Sequence, residues 1–179
     1  MPDQHGSLYL YEALELRGEY DARIKDLRDL LPEGRKKESH WSRPAEEEEH
    51  SVPSPGVELA ALRKELRALE RKRIMLGSAI QETNYRNQVE VAGESMSIAR
   101  ALEERKALGQ RIAELHELLI QSAYVKVIYK EGRDITTPPA ASFPETREEL
   151  ARVRSEFRGL NRALRAVSFT TLVDFRDGP

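Results

Sequence analysis

The sequence predicts a mainly α-helical protein, an elongated antiparallel four-helix bundle of the coiled-coil type with a short β excursion. Apolar residues recur every three or four positions in four long segments, which is the spacing of one helix face. Charged residues make up 34% of the 179 residues and apolar residues 39%, a balance that suits narrow apolar stripes between wide charged faces. We therefore expect one domain, residues 1–179, whose helices of about 25 residues span roughly 37 Å.

The first helix is predicted from about residue 7 to residue 31. Ser7 is a suitable N-cap, and Pro32 and Gly34 follow the helix as stop signals. The predicted apolar face consists of Leu10, Ala13, Arg17, Tyr20, Ile24, Leu27 and Leu31. One member of this face, Arg17, carries a charge.

Two further helices are predicted at about 57–84 and 97–122, and each also has one arginine on its apolar face. The second face consists of Leu59, Leu62, Leu66, Leu69, Arg73, Leu76, Ile80 and Thr83. The third face consists of Ile98, Ala101, Arg105, Leu108, Ile112, Leu115 and Leu119. Between these helices, residues 85–96 alternate around Gly93 in the pattern of a short hairpin or an extended arm.

The fourth helix is predicted at about 146–173, where Thr146 and Glu149 suit a capping box. Its face consists of Leu150, Val153, Phe157, Leu160, Leu164 and Val167. Before this helix, the segment AYVKVIYK alternates like a strand and is the expected β excursion. Because a lone two-stranded ribbon is marginally stable, we expect it to pack on the bundle or to pair with another subunit.

The segment 32–56, PEGRKKESHWSRPAEEEEHSVPSPG, is predicted to be a mobile loop within the domain. It holds four of the nine prolines, together with a basic cluster and an acidic run. Such a composition favours a solvated loop over a packed element.

The sequence contains no recognisable catalytic motif. The absence of cysteine excludes disulfides and thiolate ligands, and there is no glycine-rich phosphate loop, zinc-protease motif or nucleophile elbow. A di-iron bundle needs Glu-x-x-His pairs on facing helices, and the four predicted helices carry none. We therefore predict no catalytic residue, no metal site and no cofactor, and favour a protein that is not an enzyme.

Charge and hydropathy indicate the compartment, make nucleic acid an unlikely partner and argue against a membrane. The net charge of −2 gives no overall attraction to nucleic acid or to an anionic membrane. The basic stretch RKELRALERKR, residues 63–73, is better explained as a solvated helix face than as a nucleic-acid site. No signal peptide is recognisable, and no run reaches the roughly 18 apolar residues of a membrane span. We therefore expect a cytoplasmic protein.

The three arginines on the apolar faces are predicted to share one level of the bundle. Arg17 lies 14 residues before the last face residue of its helix, and Arg73 lies 14 residues after the first face residue of the next. Arg73 and Arg105 are 17 and 15 residues from the turn near residue 90. In antiparallel neighbours these offsets bring the guanidiniums within about one helical turn of each other.

Two sources of negative charge could neutralise the three arginines, since an unpaired buried charge costs several kcal/mol. In the structural interpretation, which the many acidic residues favour, carboxylates of the chain pair with the arginines. The candidate carboxylates are Glu12, Glu70, Glu104 and Glu156. In the functional interpretation, a small anionic or phosphorylated ligand binds there. Its candidate binding residues are Arg17, Arg73, Arg105, Thr83, Asn84 and Arg158.

Four stretches, EALELRGEYDARIKDL, IQETN, SIARALEERKALGQRI and EFRGLNRALRAVSFTTLV, resemble a family of small bacterial helical proteins often labelled septicolysin-like. The resemblance covers most of the chain outside 32–56 and implies no established activity. The matching positions are Glu12, Ala13, Leu14, Arg17, Ile80, Thr83, Asn84, Ala101, Leu102, Arg105, Glu156, Arg158, Leu160 and Leu164. Departures from the family pattern occur at Gln81, Asn161, Ser168 and Phe169.

Two functions remain open from the sequence. The first is an uncharacterised, non-enzymatic, homo-oligomeric helical scaffold or interaction protein, which the narrow apolar faces and the strand-like AYVKVIY segment favour. The alternative is a binder of, or an enzyme acting on, a small anionic or phosphorylated ligand at the arginine layer.

Overall fold

The computed structural model describes residues 7–32, 53–139 and 141–177. In chain order the elements are β1 (Ser7–Tyr9), α1 (Leu10–Leu30), α2 (Leu59–Arg86), β2 (Gln88–Val91), β3 (Glu94–Ser97), α3 (Ile98–Ser122), β4 (Lys126–Lys130), β5 (Arg133–Thr137), α4 (Phe143–Ser168) and β6 (Leu172–Asp174). The prediction of a mainly helical protein with four long helices is therefore confirmed. Most of the predicted loop 32–56, namely 33–52, lies outside the described residues.

The strands form three separate two-stranded antiparallel ribbons in the described part of the chain, where the sequence predicted a hairpin or extended arm at 85–96 and a strand-like segment before the fourth helix. The hairpin around Gly93 is β2–β3, and the strand-like AYVKVIYK segment provides β4 of a second hairpin, β4–β5. The third ribbon pairs β1 with β6, from opposite ends of the chain. This ribbon is the reason that α1 begins after the predicted Ser7 cap and that α4 ends before the predicted residue 173.

The start of α4 also differs from the prediction. The helix begins at Phe143 with Pro144 in its first turn, and the Thr146 hydroxyl donates to the Ser142 carbonyl at 2.8 Å. Thr146 therefore lies inside the helix, and the predicted capping box with Glu149 is wrong. The reason is that proline fits the first turn of a helix, where its missing N–H costs nothing.

The chain divides into two compact units, and the boundary falls inside α2. The first unit contains Met1–Ile80 and Leu172–Pro179, and the second contains Gln81–Thr171. Each unit contains a pair of helices. The expectations of one domain and of a single four-helix bundle stay predictions.

In the first unit, ion pairs connect α1 with α2. Arg23 lies 3.3 Å from Glu65, Arg28 lies 2.6 Å from Glu70, and Arg73 lies 2.9 Å from Asp21. Apolar side chains on these elements and on the β1–β6 ribbon are buried, among them Leu10, Tyr20, Ile24, Leu69, Leu76 and Val173. Exposed ion pairs contribute little, about 0–1 kcal/mol each, so apolar burial provides most of the stability.

In the second unit, α3 and α4 pack antiparallel around an apolar core. Leu115, Leu150 and Val153 form its centre, and Leu108, Ile112 and Leu119 pack against it. At the other end of the helices, the β2–β3 hairpin buries Val89 and Met96, which face each other across the ribbon. The Ser97 side chain accepts from the Arg100 N–H at 3.2 Å and caps α3, as its position before the helix predicts.

Candidate functional site

The β4–β5 hairpin projects from the second unit with all ten strand residues exposed. Its turn residues Glu131 and Gly132 both have positive φ, 53° and 76°, the backbone of a tight two-residue turn. The strands pair with each other, and no described helix packs extensively against them. The outer edges of both strands therefore keep unpaired backbone N–H and C=O groups.

Large apolar side chains accompany these open edges. Tyr124 is 83% exposed, Tyr129 is 74% exposed, and Val127 and Ile135 are about half exposed. Isolated apolar side chains on a surface are ordinary, but a cluster on one unsupported ribbon indicates an interaction surface.

The register of the ribbon sorts its side chains onto two faces. Cross-strand partners share a face, and the pair Ile128 and Ile135 is flanked by two other pairs, Lys126 with Thr137 and Lys130 with Arg133. We call this surface the basic face, since its charged members are all cations. The opposite face carries Val127, Tyr129, Asp134 and Thr136.

A groove of about 980 Å³ lies in the same unit, between the N-terminal half of α3, the C-terminal half of α4 and the tip of β2–β3. We call it the α3–α4 groove. Its lining is mostly apolar with many small residues: Glu90, Val91, Ala92, Glu104, Ala107, Leu108, Arg111, Ser155, Glu156, Gly159, Leu160, Arg162, Ala163 and Ala166. Small side chains on both helices leave the space that larger ones would fill.

The charged residues of the α3–α4 groove are three carboxylates and two guanidiniums. The Arg111 guanidinium is held by Glu149 at 2.7 Å and by Glu114 at 3.6 Å, and these carboxylates raise the pKa of Arg111. Arg162 has no ion pair within the described ranges. Glu104 and Glu156 are also paired, with Arg100 and Arg152 on their own helices, so Glu90 is the lining carboxylate without an ion pair in the described part of the chain.

The three arginines predicted to form one layer are divided between the units. Arg17 and Arg73 lie in the first unit and Arg105 lies in the second. Arg17 is half-buried, whereas Arg73 and Arg105 are exposed, and Arg73 donates to Asp21 at 2.9 Å. A long arginine side chain can start from an apolar stripe and place its head in water. The ligand-binding role of these residues stays a prediction.

Three other predicted ligand residues, Thr83, Asn84 and Arg158, lie in the second unit. Thr83 is buried, and its carbonyl accepts from both the backbone and the side-chain N–H of Asn87, at 3.0 and 2.9 Å. The Asn84 Oδ1 atom is buried without a hydrogen-bond donor in the described structure, and Arg158 is exposed. This unpaired acceptor oxygen can bind a hydrogen-bond donor, whereas it would repel an anion.

The four carboxylates predicted to pair with the three arginines contact other groups. Glu12 accepts from the Tyr9 N–H at 2.8 Å at the start of α1, and Glu70 pairs with Arg28. Glu104 and Glu156 each pair with an arginine one turn earlier on their own helix. None of these contacts involves Arg17, Arg73 or Arg105, so these four carboxylates do not form the predicted ion pairs with the three arginines.

The Tyr20 ring, buried on α1, lies near the end of the chain. Lys72 donates to the Asp177 carboxylate at 3.0 Å. The Tyr20 hydroxyl lies within electrostatic reach of the same carboxylate but outside ordinary hydrogen-bond geometry. Tyr20 and Lys72 lower the pKa of Asp177, while burial and Asp177 raise the pKa of Tyr20. This network joins the C-terminal segment to both helices of the first unit.

Other functional features are sparse. Arg63, Lys64, Arg67 and Arg71 line a shallow depression of about 390 Å³ on one side of α2, within the basic stretch. No helix in the described part of the chain is both long enough and apolar enough to span a bilayer. Within residues 7–32, 53–139 and 141–177, no three acidic or histidine side chains are placed to hold a metal ion.

The sequence predicted the hairpin but not the α3–α4 groove. A signal for the groove was present, because Gly159, Ala163 and Ala166 recur at helical spacing and Ala107 stands on the facing helix. Small residues at this spacing also occur in close helix packing, so the pattern becomes specific only when the two helices are placed together.

Comparison with known proteins identifies a protein of similar fold whose function is unknown. No family model and no curated protein matches the chain. A crystal structure from Corynebacterium diphtheriae, described as a functionally unknown conserved protein, is similar with a TM-score of 0.68 and 22% identity. The similarity covers 93% of this chain and 99% of that one. At this identity the likeness shows a shared fold, and the septicolysin-like resemblance stays a prediction.

Proposed function

We propose that this protein is a non-enzymatic, homo-oligomeric helical scaffold or interaction protein, and that the β4–β5 hairpin is its self-association element. One observation carries the proposal: no described helix packs extensively on this two-stranded ribbon, which has open edges and clustered apolar side chains. Such ribbons are marginal alone in water and gain stability when a further surface covers them. A second copy supplies that surface wherever the protein is concentrated.

The sequence-based details belong to the same proposal. The antiparallel pair α3–α4 and the ion pairs between α1 and α2 support the predicted antiparallel bundle arrangement of the helices. The absence of cysteine is compatible with a cytoplasmic location. The four stretches quoted in the sequence analysis support the resemblance to the septicolysin-like family. The anionic-ligand alternative lacks a specific supporting observation, since Arg73 donates to Asp21 and the buried Asn84 Oδ1 atom is an acceptor that an anion would not satisfy.

Sedimentation equilibrium of the wild type and a hairpin-replacement variant tests the proposal. In the variant, residues 126–137 are replaced by a short Gly-Ser linker, which leaves the packed helices unchanged. We expect the wild type to associate with increasing concentration and the variant to remain a folded monomer with the same helical circular dichroism. A wild type that stays monomeric, or a variant that associates equally well, would contradict the proposal.

A further inference from the structure

The second unit contains two unpartnered surfaces with complementary chemistry. The basic face of the hairpin has two isoleucines at its centre and cations at its ends, namely Lys126, Lys130 and Arg133. The α3–α4 groove has an apolar floor and three carboxylates, Glu90, Glu104 and Glu156. The hairpin therefore presents cations and large apolar side chains, and the groove presents carboxylates and space between small side chains.

The dimensions of the two surfaces agree. The groove follows α4 from Ser155 to Ala166, twelve residues, which is about 18 Å at the rise of an α-helix. A five-residue strand such as β4 spans about 17 Å. At Ala107, Gly159 and Ala163 the groove has side chains small enough to admit a row of isoleucines.

The charges favour this pairing in one orientation of the ribbon. The basic face carries three cations and no acid, while the only acid on the opposite face of the strands is Asp134. In the groove, Arg111 is already held by two glutamates, and Arg162 is the lining cation without an ion pair among the described residues. Docking of the basic face brings its cations to Glu90, which has no ion pair among the described residues, and it is opposed by Arg162. Glu104 and Glu156 pair with Arg100 and Arg152 on their own helices, but such exposed pairs are weak and these carboxylates can also attract the hairpin cations.

We propose that the β4–β5 hairpin of one copy inserts its basic face into the α3–α4 groove of a second copy. The hairpin does not occupy the groove of its own chain, because its strand residues are all exposed. Hairpin and groove are different patches, so two copies can exchange hairpins as a two-fold symmetric pair, or several copies can associate head to tail and close a ring. The inference rests on the proposed self-association and adds the surface that receives the hairpin.

A mixing experiment with two charge-reversed variants tests the contact. The hairpin variant is Lys130→Glu with Arg133→Glu, and the groove variant is Glu104→Lys with Glu156→Lys. Each alone should self-associate at least about tenfold more weakly than the wild type, since both reverse the charges that meet in the contact. Mixed together, the two should form a 1:1 complex, because the intact hairpin of one meets the intact groove of the other.

Two further variants make the test specific. Lys106→Glu with Arg165→Glu makes the same number of charge reversals on exposed positions outside both surfaces, and it should leave association within about threefold of the wild type. Arg162→Ala removes the cation that opposes docking and should strengthen association, a direction that general damage to the fold would not produce. Circular dichroism confirms that each variant is folded before its association is measured.

The outcomes separate this inference from the proposed function. An associating wild type that is insensitive to the groove variant, with no complex on mixing, overturns the groove contact and leaves hairpin-to-hairpin association. A strictly monomeric wild type overturns both proposals. A groove that takes up an amphipathic small molecule in a monomeric protein would also overturn the inference.

Discussion

Truncating the two isoleucines at the centre of the β4–β5 hairpin should weaken self-association without weakening the fold. Ile128 is 46% exposed and Ile135 is 50% exposed, so about half of each side chain remains to be buried by a partner. Complete burial of an isoleucine is worth about 1.5–3 kcal/mol, and alanine keeps part of that gain. The double change to alanine should therefore cost about 1–2 kcal/mol of association free energy, roughly a 5- to 30-fold higher Kd.

The same reasoning predicts an unchanged monomer. Since no described helix packs extensively on the hairpin, its truncation should alter the free energy of global unfolding by less than about 0.5 kcal/mol. The association constant is measured by sedimentation across a dilution series, and the unfolding free energy by urea denaturation at the lowest concentration. Ile74→Ala with Ile120→Ala is a matched control, because both isoleucines are more than half exposed on helices. Equal loss of association in control and hairpin variants would refute the reasoning.

Three further predictions concern the rest of the molecule. Leu115→Ala should lower the free energy of unfolding by about 2–5 kcal/mol because Leu115 is buried in the α3–α4 core, while Leu14→Ala, at 39% exposure, should cost much less by urea denaturation. Asp177→Asn should destabilise the protein by about 0.5 kcal/mol at pH 7, after allowance for solvent screening of this half-exposed carboxylate. Because the folded pKa of Asp177 lies below its ordinary value of 3.8, the stabilisation by this carboxylate is complete above pH 3.8 and is lost as the pH falls through the folded pKa. A difference in unfolding free energy between wild type and variant that grows in acid would contradict the assignment. Inorganic phosphate should give no saturable thermal stabilisation beyond chloride at equal ionic strength, and a saturable rise that disappears in Arg73→Ala would support the anionic-ligand alternative.

Local signals in the sequence were sufficient for α3 and for the turn between β2 and β3. Ser97 stands directly before the apolar periodicity of α3 and caps it, so both ends of that helix were predicted within one residue. The β2–β3 turn was predicted at Gly93, whose φ of 88° is a conformation that glycine adopts without strain. These features depend on neighbours in the chain, which is why periodicity and turn chemistry identify them.

Features made by distant parts of the chain were not predictable in the same way. The β1–β6 ribbon joins two three-residue strands from opposite ends of the chain, Ser7–Tyr9 and Leu172–Asp174, and neither is long enough to show alternation. The predicted first and fourth helices extended across these segments, although their apolar faces begin at Leu10 and end at Val167. Long-range pairing overrode the local preference there.

The candidate site shows the same division. The exposed hairpin follows from the alternation of Val125, Val127 and Tyr129, whereas the groove depends on which sides of α3 and α4 face each other. Arg105 shows why face assignment is uncertain for arginine: it occupies an apolar position in the periodicity, yet the residue is exposed. Its side chain is long enough to leave the apolar stripe, and periodicity alone cannot indicate that.

Hydrogen exchange of the hairpin amides as a function of protein concentration tests the central claim most directly. An unsupported two-stranded ribbon opens easily, so the amides of residues 126–137 should exchange rapidly in dilute solution. If a second copy covers the hairpin, their protection should rise with concentration in parallel with the sedimenting mass, while amides in the α3–α4 core remain protected throughout. Hairpin amides that exchange rapidly at every concentration, in a protein whose mass shows that it has associated, would contradict the account.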